Sequence, residues 1–377
     1  MAPAYRPPVV FLVNGAPDSA MGIRARSFAR RLEGEFAIHI AHRRSNKVFA
    51  IFWFFCFLLR TRPSVCYVLD MAFSAVCAAG LYRTLSRCRV VIDTGDAIYQ
   101  LSQSAGTRGP IGLWLTRLLE QFSLSMSDRI VVRSHPHQEL LAARRITAEV
   151  IPDGVDTTQF LPQSVPELRR KYGLEGFTVI GLLGSLIWSP RWNMCYGWDL
   201  IEVLGQLRDQ PVKGLIIGDG SGLKILKEQC AAYGIEDRIL FLGRLPYDEL
   251  PRYLNLMDIC LNTQTNDIPG QVRTTGKLPL YLACGRFVLS SAVGEAVRTL
   301  PPEMLVPYHG IKDQDYPDRL AERVRDILKD SSCLNRHESS VQIALANFDY
   351  DVLATTLRGT IDGVLPSPPG ARPRGSR

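Results

Sequence analysis

Apolar residues along the chain gather into short, β-branched runs separated by longer stretches with helical spacing. In the first half the runs fall at residues 9–13, 36–41, 65–69, 89–92, 130–132 and 149–151. Several are apolar throughout rather than alternating, as expected for strands covered on both faces. Strand and helix in alternation predict a parallel sheet with crossover helices. After the turn-rich stretch IPDGVDTTQFLPQSVPE the pattern restarts, with runs at 178–183, 214–217, 239–242, 259–262 and 287–290. Helices are expected between them, for example at 223–233 and 278–284. Two successive α/β units imply a cleft between them, a usual place for a ligand. The expected division is 1–165, 166–345, a closing helix at 346–364 and a tail at 365–377. That tail, LPSPPGARPRGSR, is Pro/Gly/Arg-rich and is read as disordered.

A length of 377 residues suits two such units better than one core. The nine cysteines are odd in number and widely spaced, without a C-x-x-C pair. They read as reduced, mostly buried thiols of a cytoplasmic protein rather than a disulfide framework or a zinc site. Pro7 and Pro8 precede only a short apolar run that breaks at Asn14-Gly15, which is not the pattern of a secretory leader. A net charge of +7 suits polyanions such as diphosphates or anionic membranes. Nucleic-acid binding is not expected, because clustered cations interleaved with aromatics are missing outside the tail. Residues 48–59, VFAIFWFFCFLL, are twelve apolar residues with Lys47 before and Arg60 and Arg62 after. A spanning helix needs about 20 residues, so two readings stay open. One is a helix buried on the sheet; the other is a helix lying in an anionic membrane surface.

Several local patterns carry chemistry. Gly218-Asp219-Gly220 follows an expected strand and opens a helix, so backbone there can approach a ligand. Its spacing departs from the dinucleotide fingerprint, which argues against a dehydrogenase. Arg273 and Lys277 flank Thr274-Thr275-Gly276 ahead of an apolar helix, a planar fork and a point charge suited to a diphosphate. Asp93 and Asp96 end a strand and are candidates for acceptor contact, proton transfer or helix capping. His135 and His137 flank Pro136 and read as helix-start residues.

VIPDGVDTTQF, the Gly218 turn, FLGRLPYDELPRYL and GKLPLYLACGRFVLSS occur in an order that resembles the retaining GT-B glycosyltransferases of family 4. The resemblance runs from about residue 130 to 289. It implies two Rossmann-like domains facing across a cleft: an acceptor domain at 1–165, a nucleotide-sugar donor domain at 166–345 and a crossing helix at 346–364. It implies Arg273 and Lys277 on the donor diphosphate and Thr274, Thr275 and Gly276 as a donor-binding loop. Gly22, Arg191, Gly218, Asp219 and Gly220 would also serve the donor, with Trp188 or Trp192 along the cleft and Asp96 as a catalytic carboxylate. The partners implied are a nucleotide-sugar donor and a saccharide, lipid-linked or small-molecule acceptor, in cell-envelope or glycolipid synthesis. Peripheral contact with an anionic inner membrane face goes with the interfacial reading of residues 48–59.

The resemblance breaks at two places. The family often carries two glutamates, the second binding the donor ribose, where this chain has Val272 and Leu280. Glu295 is the candidate substitute. Retaining chemistry on cations and N–H dipoles is coherent without a metal or other cofactor. Two alternatives remain: an inactive binding or scaffold protein of the same fold, and a sugar-nucleotide epimerase using Glu295 and His309.

Overall fold

The structure, a computed structural model, describes residues 5–44, 46–106, 108–335 and 337–365. The expected tail at 365–377 lies outside the described residues apart from Leu365. Strands β1 (Pro8–Val13), β2 (Ala37–His42), β3 (Val65–Val68), β4 (Arg89–Thr94), β5 (Arg129–Val132) and β6 (Glu149–Val150) form one sheet in the order β2-β1-β3-β4-β5-β6. Strands β7 (Thr178–Leu183), β8 (Val212–Ile217), β9 (Ile239–Phe241), β10 (Ile259–Asn262), β11 (Phe287–Ser291) and β12 (Leu305–Val306) form a second, ordered β12-β11-β10-β7-β8-β9. Every pairing in both sheets is parallel.

Each expected run became a strand, within a residue or two at its ends. β3 stops before Leu69 because Asp70 turns the chain into a left-handed conformation, φ 61°. Strand β12 was not expected.

In the first half the helices are α1 (Ala20–Leu32), α2 (Lys47–Thr61), α3 (Phe73–Leu85), α4 (Ile98–Ala105), α5 (Pro110–Met126) and α6 (His135–Ala142). The second half has α7 (Pro166–Lys171), α8 (Trp198–Gln206), α9 (Leu223–Tyr233), α10 (Leu250–Leu254), α11 (Ile268–Val272), α12 (Lys277–Ala283), α13 (Glu295–Thr299) and α14 (Tyr316–Lys329). Two more helices, α15 (His337–Asn347) and α16 (Tyr350–Asp362), close the chain. One face of the first sheet packs on α2 and α3 through Ala50, Phe54, Leu58 and Val76. The other face packs on α1 through Phe28 and on α16 through Tyr350, Leu357 and Ile361. The last helix therefore belongs to the first sheet's core. A separate core surrounds the second sheet.

Strand order reverses beside β1 in the first sheet and beside β7 in the second. In open α/β sheets such switch points leave a crevice outside the strands' carboxyl ends. Here the two crevices face each other. Among the described residues no helix is long and apolar enough to cross a membrane.

Candidate active site

A cavity of about 900 Å³ lies between the halves. From the first half it is lined by Met21, Arg24, Leu101, Ser104, Arg133 and Asp153. The second half contributes Gly184, Ser185, Trp192, Tyr196, Gln264, Arg273, Thr275, Gly276, Lys277 and Leu280.

The basic wall is built by the short α11 and the loop that follows it. Asp267 caps α11, accepting from the Gly270 N–H at 3.0 Å, and also accepts from Ser104 Oγ of α4 at 2.7 Å. A side chain at Gly270 would meet the Thr265 carbonyl at 1.8 Å, so only glycine lets this turn close. Gln264, at the end of β10, donates from Nε2 to the Arg273 carbonyl at 2.6 Å and fixes the loop that presents Arg273. Arg273 Nε donates to Asp96 Oδ1 at 2.7 Å across the cleft. Lys277 stands over the Tyr196 ring, 5.3 Å from its centroid. Burial pushes the Lys277 ammonium down to about 8, partly reversed by the nearby Asp199 carboxylate.

Of the network behind the opposite wall, sequence reasoning singled out Asp93 but not its partners. Arg24, one turn into α1, is fully buried. Its Nε donates to Asp93 at 2.8 Å and its two terminal nitrogens to the Pro152 and Ile151 carbonyls at 2.6 and 2.9 Å. Tyr67 donates to the same Asp93 carboxylate at 2.7 Å. Arg133, at the end of β5, reaches Asp93 at 3.4 Å, Asp70 at 3.2 Å and Asp153 at 3.5 Å. Burial alone would raise the Asp93 carboxyl, and the two guanidiniums more than reverse it, so it titrates below the usual range. Asp93 is thus the hub of a buried ion network, not a helix cap. These groups come from the ends of different strands, and only the sheet order brings them together.

The other expected residues divide plainly. Arg273, Lys277, Thr275 and Gly276 line the cavity; Thr274 sits beside it, its hydroxyl 3.3 Å from Asp153 across the cleft. Asp96 touches the site through Arg273 alone among the donor-loop residues. Gly22 does not line the cavity; it is needed because a side chain there would meet the Pro17 carbonyl at 2.4 Å. Its neighbours Met21 and Arg24 do line it.

Gly218, Asp219 and Gly220 also stand off the cavity. Gly218 (φ 146°) and Gly220 (φ 159°) would place a side chain 1.9 Å from the Gly184 carbonyl and 2.4 Å from the Leu186 carbonyl. Their part is to let the loop after β7 lie close, and Gly184 and Ser185 of that loop reach the cavity.

Arg191 does not line the cavity. Its guanidinium donates to the Gln103 and Ser104 carbonyls at the end of α4, at 2.7 and 3.1 Å. Trp192 joins it there and lines the cavity, whereas Trp188 does not. Glu295, the candidate ribose substitute, does not line the cavity. Its carboxylate takes the His135 N–H at 2.8 Å and lies 2.8 Å from His135 Nδ1, outside the cavity. His135 and Pro136 open α6 behind the Ser134 cap, as expected. Leu280 forms an apolar wall where the family's second glutamate would be, and Val272 is buried.

Residues 198–343 match the family model described as Glycosyl transferases group 1. This segment carries the Lys277 helix, the Arg273 loop and most of the second sheet. Over this segment the chain is similar to the glycosyl transferases group 1.

The chain is 32% identical over 198 residues to 2-deoxystreptamine glucosyltransferase of Streptomyces kanamyceticus, covering 50% of this chain and 46% of that one. It is 29% identical over 158 residues to GDP-mannose-dependent alpha-(1-6)-phosphatidylinositol monomannoside mannosyltransferase of Mycolicibacterium smegmatis, covering 40% of each. The chain thus spans less than half the length of these curated relatives. Among solved structures, sucrose-phosphate synthase from Thermosynechococcus elongatus superposes with a TM-score of 0.74 at 16% identity, over 95% of this chain and 99% of that one. Anabaena Alr3699/HepE in complex with UDP and glucose superposes with a TM-score of 0.73 at 17% identity, over 95% of this chain and all of that one. The two facing sheets are the GT-B fold, and the glycosyl transferases group 1 segment forms most of its second half.

Proposed function

We propose that this chain transfers a sugar from a nucleoside-diphosphate sugar to an acceptor hydroxyl, with retention of configuration. The observation that carries this is the convergence of Arg273 and Lys277 with Thr275 and Gly276 on one wall of a 900 Å³ cavity between the sheets. Residues 166–345 form the donor domain in this reading, residues 1–165 the acceptor domain, and 346–364 the helix crossing back between them. The diphosphate lies on Arg273 and Lys277, which stabilise charge developing on the leaving group. Asp96 holds Arg273 in place until the donor arrives. Asp153, on the facing wall, is the carboxylate presented to an acceptor hydroxyl held on the leaving-group side. Leaving-group phosphate oxygen takes the hydroxyl proton as the new glycosidic bond forms. The cations meet the charge demand with no metal assigned to the site.

The solved relative named with UDP makes a uridine donor the first to test, and the GDP-mannose-dependent relative makes guanosine the second. The relatives' names point to two acceptor kinds, 2-deoxystreptamine and phosphatidylinositol glycolipid. A cytoplasmic setting beside an anionic membrane surface accords with the second.

A second reading, a binding or scaffold protein that keeps the fold, is favoured by Leu280 at the ribose position and by the pairing of Arg273 with Asp96. An epimerase is not supported, since neither Glu295 nor His309 lines the cavity. Thermal-shift and calorimetric titration with UDP, GDP, ADP and CMP tests the transferase reading. A selective response to one diphosphate, lost in Lys277→Ala and followed by donor hydrolysis, supports it. Binding without any turnover favours the scaffold. No binding to any of the four sinks both the donor site and the transferase.

A further inference from the structure

The outer side of the first half carries an apolar surface that the fold does not cover. Helix α2 buries Ala50, Phe54 and Leu58 against the sheet, yet its opposite stripe is also apolar, with Phe49 68% and Phe52 69% exposed. Helix α5 repeats the arrangement: Ile111 is 81% and Trp114 61% exposed, and Leu118 and Phe122 continue the same stripe. Helix α3 lies between them, and a side chain on its Gly80 would touch the Phe122 ring at 3.7 Å, so the stripes belong to one layer. Soluble monomers rarely expose contiguous apolar area of this extent without a partner.

Charge indicates which partner. Across residues 43–69, 71–92 and 97–127 the only acidic residue is Glu120. It is buried, accepting from the Tyr99 N–H at 2.8 Å. The same segments carry exposed Arg44, Lys47, Arg60, Arg62, Arg108 and Arg117 around the apolar stripes. Two copies of this face brought together would oppose cation to cation. An anionic bilayer takes both features at once, headgroups on the cations and acyl chains on the rings.

Position links the surface to the cavity. Crossover helices run opposite to the parallel strands they connect, so α2 and α5 begin at the strands' carboxyl ends, where the cavity opens. Phe49, Phe52, Ile111 and Trp114 all lie in those first turns. Helix α4, packed between α5 and the cleft, places Leu101, Ser104 and Ala105 on the cavity wall.

We propose that the α2–α3–α5 face docks on an anionic lipid bilayer and that the acceptor is an amphiphile whose headgroup enters the cavity past α4. The docking stands by itself; the acceptor class rests on the transferase reading above.

The test is co-sedimentation of the full chain with phosphatidylcholine vesicles, with and without phosphatidylglycerol. Expected is partition about tenfold stronger onto the anionic vesicles, weakened about tenfold or more in Phe49→Glu/Phe52→Glu and in Trp114→Glu/Leu118→Glu. Val352→Glu, an exposed apolar position on α16 across the sheet, should leave it unchanged. Milder Phe49→Ser/Phe52→Ser serves if the charged variants fail to fold, with UDP thermal shift reporting an intact donor site. No vesicle binding by the wild type overturns the proposal. So does concentration-dependent self-association that the same variants abolish, which would make the face a contact between copies. Vesicle binding without nucleotide binding would keep the docking while removing the transferase reading.

Discussion

Lys277 occupies a place that disfavours its own charge, and Lys277→Met tests that and the donor site together. In the free protein the ammonium is brought from an ordinary 10.5 to about 8, first by burial. That gap corresponds to roughly 3 kcal/mol against the charged form, at about 1.4 kcal/mol per pH unit. The side chain lines a cavity and is partly accessible, so solvent screening reduces this to about 1–2 kcal/mol. The folded state binds fewer protons than the unfolded one between pH 8 and 10.5, so stability rises with pH in that window and the full cost is present below it. Lys277→Met should therefore be more stable than wild type at pH 7, by a Tm increase of a few degrees. The advantage should fade as pH rises from 8 towards 10.5. Nucleotide binding should move the other way. Loss of one charge-assisted contact to the diphosphate costs about 1.5–3 kcal/mol, or a roughly 10- to 100-fold weaker Kd. In the wild type, diphosphate affinity should decline as pH climbs past 8. Differential scanning calorimetry across pH and isothermal titration with UDP and GDP read both arms. A Met variant that melts lower at pH 7 refutes the burial argument, and one that binds diphosphate as well as wild type refutes the donor site.

Asp96→Asn removes the carboxylate that holds Arg273 Nε, so nucleoside diphosphate should bind about 3- to 10-fold tighter by calorimetry, a gain of about 1 kcal/mol; weaker binding would show that Asp96 aligns Arg273 instead of competing for it. Gly218→Ala forces a side chain to φ 146° and to within 1.9 Å of the Gly184 carbonyl, and should cost about 3 kcal/mol or more in urea melts. An unchanged midpoint would mean that the loop after β7 yields freely.

Both sheets were legible from the chain because most of their strands centre on short apolar runs, which survive any change of helix packing. β12 was not, since Leu305–Val306 is two residues long and carries no period. The donor-side cations were legible because Arg273, Thr275, Gly276 and Lys277 lie within one short segment, so local order already places them together. The facing network, Asp93 apart, was not legible for the opposite reason. Arg24, Asp93, Arg133 and Asp153 are spread over the first 153 residues and meet only through the order β2-β1-β3-β4-β5-β6. The contacts of Arg191 and Glu295 were not legible, because sequence position records neither which carbonyl nor which histidine a long side chain will find across a cleft. Periodicity also failed to reveal the bare stripe of α5. It reports that Ile111, Trp114, Leu118 and Phe122 share a face, but not that Thr116, Glu120 and Ser123 take the inner one.

Helix α16 carries a consequence for how the chain is made. Tyr350, Leu353, Leu357 and Ile361 complete the face of the first sheet that α1 covers only in part, and the Arg31 guanidinium pairs with Asp351 to fix the join. During synthesis β1 to β6 emerge first, yet that face stays open until the whole second sheet has followed. The half translated first is thus the half sealed last. A fragment ending at residue 345 would present the strip left by Leu357 and Ile361 to solvent. It would depend on a chaperone, or on the missing helix supplied as a separate peptide, to remain dispersed.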